Sequence, residues 1–179
     1  MTAICGFCTN KKVYIGGDSA GSYDGDVHIR EDQKVFINDE YLFGFTGSFR
    51  MGQVLRYCFV APERSEGISD FKFLVSEFIP AIQETLSESG VELQENGIKS
   101  GGTFLLGYRG SLYIIYDDYQ VAKSLDSYAA CGYGEAYAIG AMYAINDYDL
   151  PPKQRIKIAL EAATKYTGCV RPPYTILSI

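Results

Sequence analysis

Short apolar runs, each closed by glycine, asparagine or aspartate, alternate along this chain with two blocks of longer period. In Thr2–Ala20, Ala3, Cys5 and Phe7 alternate with Ile4, Gly6 and Cys8. Asn10-Lys11 interrupts the run, and Val13, Tyr14 and Ile15 resume it before Gly16-Gly17-Asp18-Ser19. That pattern predicts two strands joined by a short turn. Gly21–Asp26 reads as a polar, glycine-bearing loop and Val27–Arg30 as a short strand. Lys34–Ile37 and Tyr41–Thr46 read as a hairpin across Asn38-Asp39-Glu40. The period then lengthens. Ser48–Val60 carries Phe49, Val54, Leu55, Cys58 and Phe59 mostly on one stripe, and Ala61-Pro62 ends the helix. Ser69–Ser87 is a second predicted helix with Ser69 as its N-cap. Pro80 inside it predicts a kink or a break.

Gly90–Gly102 is polar and is expected to be loop. A meander follows: Thr103–Tyr108, a turn at Arg109-Gly110, Leu112–Tyr116, Gln120–Lys123 and Tyr128–Cys131. Gly134–Asn146 and Pro151–Tyr166 are predicted helices, the latter opened by Pro151-Pro152 and stopped near Gly168. Tyr174–Ile179 is a final strand. Strands, two helices, strands, two helices and a strand fit two antiparallel sheets packed face to face, with a helix layer outside each. The expected class is α+β, a four-layer αββα sandwich built as a single domain over residues 1–179.

Composition narrows the function. With 179 residues, 47% of them hydrophobic and 21% charged, the chain has material for a sizeable core. A formal net charge of −6 and no basic stripe argue against a nucleic-acid partner. No apolar run reaches membrane-spanning length, and the start lacks the charged-then-apolar order of a signal peptide, so a cytoplasmic protein is expected. Five cysteines suit a reducing compartment. Cys5-Gly6-Phe7-Cys8 has redox and zinc spacing, but on a strand its thiols point to opposite faces. His28 is the one histidine and no second such pair follows, so two buried structural thiols are the expected reading. Asp24 and Asp26 lack the further ligands of a calcium loop and read as a solvated turn.

The candidate chemistry lies at the start. Only Met1 precedes Thr2, and aminopeptidases trim an initiator methionine when the next side chain is small. Trimming would leave one residue with both a hydroxyl and an α-amine, and an α-amine titrates near ~8. A threonine activated by its own amine is a known nucleophile type. Such a pair needs a fixed positive charge nearby, and that cation needs a carboxylate to hold it. Asp18, at the end of the second strand, and Lys34, at the start of a later one, are the candidates. Alone, each reads as a turn carboxylate or a surface lysine. Together with Thr2 they make a constellation.

At this point the chain resembles the proteasome β-subunit family and its bacterial relative, the HslV peptidase, which are N-terminal nucleophile hydrolases. The matching segments are Thr2, Gly17-Asp18-Ser19, Lys34-Val35, the turn Gly44-Phe45-Thr46-Gly47, and the later block Ala130-Cys131-Gly132-Tyr133-Gly134-Glu135-Ala136-Tyr137-Ala138. The spacing of Asp18 and Lys34 from Thr2 matches the family without gaps, and the resemblance spans the whole chain. It implies the αββα fold and a threonine-type peptidase. Thr2 would be the nucleophile and its amine the base, Lys34 the electrostatic activator, Asp18 its partner and the Gly47 N–H an oxyanion donor. Phe45 and Phe49 would make the specificity pocket aromatic. The implied chemistry needs no metal or organic cofactor. The implied partners are a polypeptide substrate, further copies in stacked homo-oligomeric rings, and a separate ATPase unfoldase.

Three positions depart from the family pattern. Tyr133 stands where a serine is usual, and Lys165 and Gly168 stand where an aspartate and a serine or threonine are usual. Tyr133 keeps a hydroxyl on a longer, rigid ring, and Lys165 reverses a charge. Gly132-Tyr133-Gly134 also resembles the start of a dinucleotide fingerprint, but Tyr137 replaces its third glycine. Two rival readings stand beside the peptidase: a catalytically inactive ring subunit kept for assembly, and a related amidohydrolase acting on small amides.

Overall fold

A computed structural model describes residues 1–95 and 98–179. The first hairpin forms as its pattern predicts. Strands β1 (Ile4–Cys8) and β2 (Val13–Gly17) pair antiparallel with Gly6 opposite Ile15. Next come β3 (Ala20–Tyr23), β4 (Asp26–Ile29), β5 (Val35–Asn38) and β6 (Tyr41–Phe45). The expected loop at Gly21–Asp26 is therefore mostly strand. Asp24 and Gly25 both take positive φ (48° and 89°), the two-residue turn that Asp-Gly favours, and its polar neighbours pair through their backbones.

Helix α1 (Phe49–Tyr57) begins where Ser48 accepts a hydrogen bond from the Met51 N–H. The second predicted helix is one helical run in three parts: α2 (Asp70–Phe73), a π turn (Leu74–Phe78) and α3 (Ile79–Glu88). Ser69 caps it through the Lys72 N–H. Pro80 has no N–H to donate, and its ring would strike the Ser76 carbonyl. The run accommodates both by widening, so that the Ile79 N–H reaches back to the Leu74 carbonyl. The expected kink is this π turn.

Strands β7 (Leu93–Glu95) and β8 (Ile98–Ser100) pair antiparallel inside the stretch expected to be loop. Residues 96–97 of that stretch lie outside the described residues. The meander is β9 (Phe104–Tyr108), β10 (Ser111–Ile115), β11 (Val121–Lys123) and β12 (Tyr128–Cys131), followed by helices α4 (Glu135–Ala144) and α5 (Pro152–Tyr166) and by β13 (Thr175–Ser178).

Among the described residues the strands form two larger antiparallel sheets, ordered β12-β1-β2-β13 and β11-β10-β9-β6-β5. Period-two alternation sorts their side chains between separate cores. Ala3, Cys5 and Ala130 face α4 and α5 with Met142, Ile156 and Leu160. Ile4, Val13, Ile15 and Ala129 face Val35, Leu42 and Leu105 of the other sheet. Phe36, Phe43 and Leu106 turn the other way, toward Leu55, Phe78 and Ile82. This double burial is why the strands read as near-continuous apolar runs. Cys5 is buried in one core while Cys8, half-buried, packs against another, so the two thiols do lie on opposite faces. Among the described residues no helix is long and apolar enough to cross a membrane.

Candidate active site

The first strand carries its start into the interior. Thr2 and Ala3 are buried. The Thr2 carbonyl accepts a hydrogen bond of 3.1 Å from the Gly134 N–H, immediately before α4. The strand β1 thus begins against the positive end of a helix. Gly132, at φ +95°, passes so close that a Cβ there would lie 2.5 Å from the Thr2 carbonyl oxygen and 3.0 Å from Thr46 Cγ2. The Gly132–Gly134 turn is therefore wedged between Thr2 and the Thr46-Gly47 turn. Gly47 takes φ +80°, a left-handed conformation that a side chain would strain. Ser48 then starts α1.

Asp18 links this backbone to Lys34. Lys34 Nζ donates to Asp18 Oδ1 at 2.7 Å, and the Ala3 N–H donates to the same oxygen at 3.1 Å. The other oxygen, Oδ2, accepts from the N–H groups of Ala20 (3.0 Å) and Arg171 (3.3 Å). Both side chains are shut from solvent, at 1% and 0% exposure, which removes the screening that makes most surface pairs weak. Burial pushes the Lys34 ammonium below the ordinary lysine value. Asp18 pulls it back up, by its charge and its hydrogen bond, and nearby Arg30 lowers it further. The result is a fixed cation, tied through one carboxylate to the residue that follows Thr2.

Alongside lies a groove of about 390 Å³ walled by Gly21, Ser22, Tyr23, His28, Arg30 and Phe49. The Met1 ammonium reaches it, donating to Ser22 Oγ at 2.8 Å. Arg30 lies over the Phe49 ring at 3.8 Å and is held by two 2.7 Å hydrogen bonds to Asp32. A smaller cavity of about 110 Å³ shares the Phe49 wall and is also lined by Phe45. Of the two phenylalanines expected in a pocket, Phe49 faces the groove, whereas Phe45 is mainly core.

The departures fall in different places. The Tyr133 ring is exposed. Lys165 is exposed on the last turn of α5, its ammonium 5.6 Å from the Tyr166 ring, so solvent screens its reversed charge. Gly168 is exposed beside Thr167, which is buried and donates from Oγ1 to the Ala163 carbonyl at 2.8 Å. Two contributors escape sequence reading altogether: the backbone N–H groups of Ala20 and Arg171 that bind Asp18. No residue type marks such a donor. Gly132 stood inside a recognised motif, but its contact with Thr2 had no signal of its own.

Other buried titrating groups set the behaviour in alkali. Desolvation raises the Cys5 thiol to about 12 and pushes Cys131, Tyr41 and Tyr119 upward as well. Above pH ~9 the unfolded chain sheds these protons first, so the native state binds more protons and unfolding free energy falls as pH rises. Lys34 acts in the opposite direction, because its proton is held less tightly in the fold, but it is one group against several. Urea midpoints are therefore expected to drop between pH 8 and pH 10.5. A midpoint that stays flat or rises over that range would contradict the burial of these groups.

No family model matches this sequence, and no curated protein matches it. Solved structures do match. BPH from Thiobacillus denitrificans, in complex with epoxomicin, superposes with a TM-score of 0.82 at 16% identity, covering 99% of this chain and 97% of that one. Eukaryotic HslV from Trypanosoma brucei gives 0.71 at 17% identity over 98% of each chain. Anbu, an ancestral beta-subunit from Yersinia bercovieri, gives 0.71 at 14% identity over 98% of this chain and 80% of its own. The class so defined is a mixed α/β fold of antiparallel sheets and helices. More particularly, it is the fold shared by BPH, HslV and Anbu, and the resemblance to proteasome β-subunits and HslV extends over nearly the whole chain.

Proposed function

We propose that this chain is a threonine-type endopeptidase subunit of a proteasome- or HslV-like ring in the cytoplasm, with Thr2 as its N-terminal nucleophile once Met1 is removed. The architecture is read as the four-layer αββα sandwich of N-terminal nucleophile hydrolases, in one domain. The three separate cores support that reading. The observation that carries the function is the buried Lys34–Asp18 pair at 2.7 Å, whose carboxylate also holds the Ala3 N–H. A buried ion pair is a poor device for stability alone. Beside a liberated threonine it is a good device for chemistry.

In this mechanism Thr2 Oγ1 attacks the scissile carbonyl and the α-amine takes the hydroxyl proton. The Gly47 N–H donates to the oxyanion, and the Lys34 ammonium offsets the developing negative charge. The amine then gives its proton to the departing peptide amine as the C–N bond breaks. An ester between Thr2 and the acyl half remains. Water, activated by the same amine, hydrolyses it and regenerates Thr2. The exposed Tyr133 hydroxyl takes the rim position where relatives carry a serine.

That exposure also favours a second reading, an inactive ring subunit, because a solvated ring holds no proton relay. One experiment separates the two. Intact mass of native protein, with and without epoxomicin, is expected to show loss of Met1 and a single adduct, and no adduct on Thr2→Ala. Retained Met1 with no adduct would leave the inactive subunit. Adduct formation without cleavage of a fluorogenic peptide panel, but with turnover of small amides, would leave the amidohydrolase.

A further inference from the structure

Arg30 is restrained far more than a surface arginine needs to be. Its stem crosses β3 at Gly21, where a Cβ would lie 2.7 Å from Arg30 Cδ. Its guanidinium lies 3.8 Å from the centre of the Phe49 ring, and Nε and Nη2 each donate to Asp32 at 2.7 Å. The Arg30 and Asp32 side chains are 39% and 40% exposed, so water screens the pair and it contributes little to stability. Contacts from Gly21, Phe49 and Asp32 instead fix where the charge points before any ligand arrives.

What is left over faces the groove beside the candidate active site. Asp32 takes one edge of the guanidinium, and among the described residues the Nη1 group has no hydrogen-bond partner. Arg30 lines the groove, whereas Asp32 lines the smaller cavity that shares the Phe49 wall. The other walls are Gly21, Ser22, Tyr23, His28 and Phe49, with no carboxylate among them. In a chain of net charge −6, such a lining discriminates by sign. A lysine or arginine side chain entering here would meet the guanidinium with no anion in the wall to offset it. A carboxylate would meet the free N–H donors of a planar cation whose geometry matches its own.

The groove is also within reach of the reaction proposed above. The Phe49 ring that lies against Arg30 has Lys34 Nζ 5.7 Å from its centre. The 2.8 Å contact of the Met1 ammonium with Ser22 Oγ shows that chain joined to Thr2 extends to this wall.

We propose that this groove receives an acidic side chain of a bound peptide, with Arg30 as the group that selects it. It rests on the peptidase reading for the further step that the peptide is a substrate.

Internally quenched peptides with blocked ends, carrying Glu, Gln or Lys in turn at each position around the scissile bond, test it. At one position kcat/KM for Glu is expected to exceed that for Gln by about tenfold, the scale of one charge-assisted hydrogen bond, with Lys the poorest. Arg30→Met keeps an unbranched stem over Gly21 and Phe49 and is expected to bring the Glu-to-Gln ratio to about one. Arg30→Glu is expected to reverse the order of Glu and Lys. If Arg30→Met proves insoluble, Arg30→Gln supplies the same readout. A purely structural Arg30 would shift all three peptides alike, and that result overturns the proposal. A neutral peptide with a free C-terminal carboxylate, cleaved as well as the Glu peptide, also overturns it, because the groove would then read chain ends. A wild type that takes the epoxomicin adduct but cleaves Glu, Gln and Lys peptides equally at every position removes the acidic groove and leaves the peptidase reading. Anisotropy of dye-labelled peptides on Thr2→Ala reads binding without chemistry. Glu-selective binding that is lost on adding Arg30→Met, beside a wild type that takes no adduct and cleaves nothing, sinks the peptidase reading and leaves the groove standing. Equal binding of Glu and Gln peptides in that case overturns both.

Discussion

A Lys34→Met chain is expected to be about 3–5 kcal/mol less stable than the wild type and to turn over peptide on the order of 10³-fold more slowly. The stability loss follows from what remains. Asp18 keeps its three backbone donors from Ala3, Ala20 and Arg171, but its charge stays buried with no cation beside it. Methionine fills most of the volume of lysine, so little of the loss comes from a cavity. The double variant Lys34→Met/Asp18→Asn removes the stranded charge and keeps one oxygen for the Ala20 and Arg171 donors, while its amide NH2 faces the Ala3 N–H, so it should recover part of the stability. It should recover none of the turnover, because the fixed cation is gone. Urea denaturation with matched m-values, set beside kcat and KM on a fluorogenic peptide, reads both quantities. A single variant as stable as the wild type would mean that the pair is not closed from water. A double variant with restored turnover would mean that Lys34 serves the fold alone.

The contrast between these two readouts bears on how the site could be read from sequence. Asp18 and Lys34 could be named because one family spaces them in a fixed way after a small second residue. Nothing in their neighbours says that they are buried. Lys34 sits in a polar stretch, Glu31-Asp32-Gln33-Lys34, which looks solvated, yet β5 begins one residue later and draws the side chain inward. The two large sheets were legible for a related reason. Their strands bury both faces, and runs such as Tyr41–Phe45 leave little ambiguity once bounded by turn residues.

Other features were not legible, because their cause is backbone pairing and not side-chain burial. Of the β3–β4 hairpin the sequence announces β4, as the short strand expected at Val27–Arg30, but not β3, which pairs with it by main-chain bonds across Asp24-Gly25. The pairing of β7 with β8 is equally silent. Pro80 announced a disturbance but not its form. Whether a helix kinks, breaks or widens depends on what packs beside it, and Phe78 and Ile79 are both locked into the core at the π turn. The Tyr-rich outer face of α4 reads in sequence like an ordinary buried helix, and only the fold shows which side is left bare.

Gly132→Ala is expected to damage the site more than any other single-methyl change in the chain. The added carbon would meet the Thr2 carbonyl oxygen at 2.5 Å and its carbon at 3.2 Å, and neither is a flexible side chain that can swing aside. The backbone at φ +95° adds a strain of about 1–2 kcal/mol for any residue with a Cβ. Two relaxations are open. If the Gly132–Gly134 turn retreats, the Gly134 N–H loses the Thr2 carbonyl and the start of α4 is uncapped. If Thr2 retreats, the proposed nucleophile shifts by roughly an ångström against the Lys34–Asp18 pair, to which the Ala3 N–H ties it. Either way the reacting groups lose alignment, and a misplacement of that size costs on the order of 10² in rate. The measurement is kcat on the fluorogenic panel, together with the rate of epoxomicin adduct formation by mass. Both should fall together while Met1 removal persists, since the exposed terminus is untouched. An alanine variant with wild-type rates would show that Thr2 and the Gly132 turn are not in contact in the working enzyme, and would remove the wedge from the account of how the nucleophile is held.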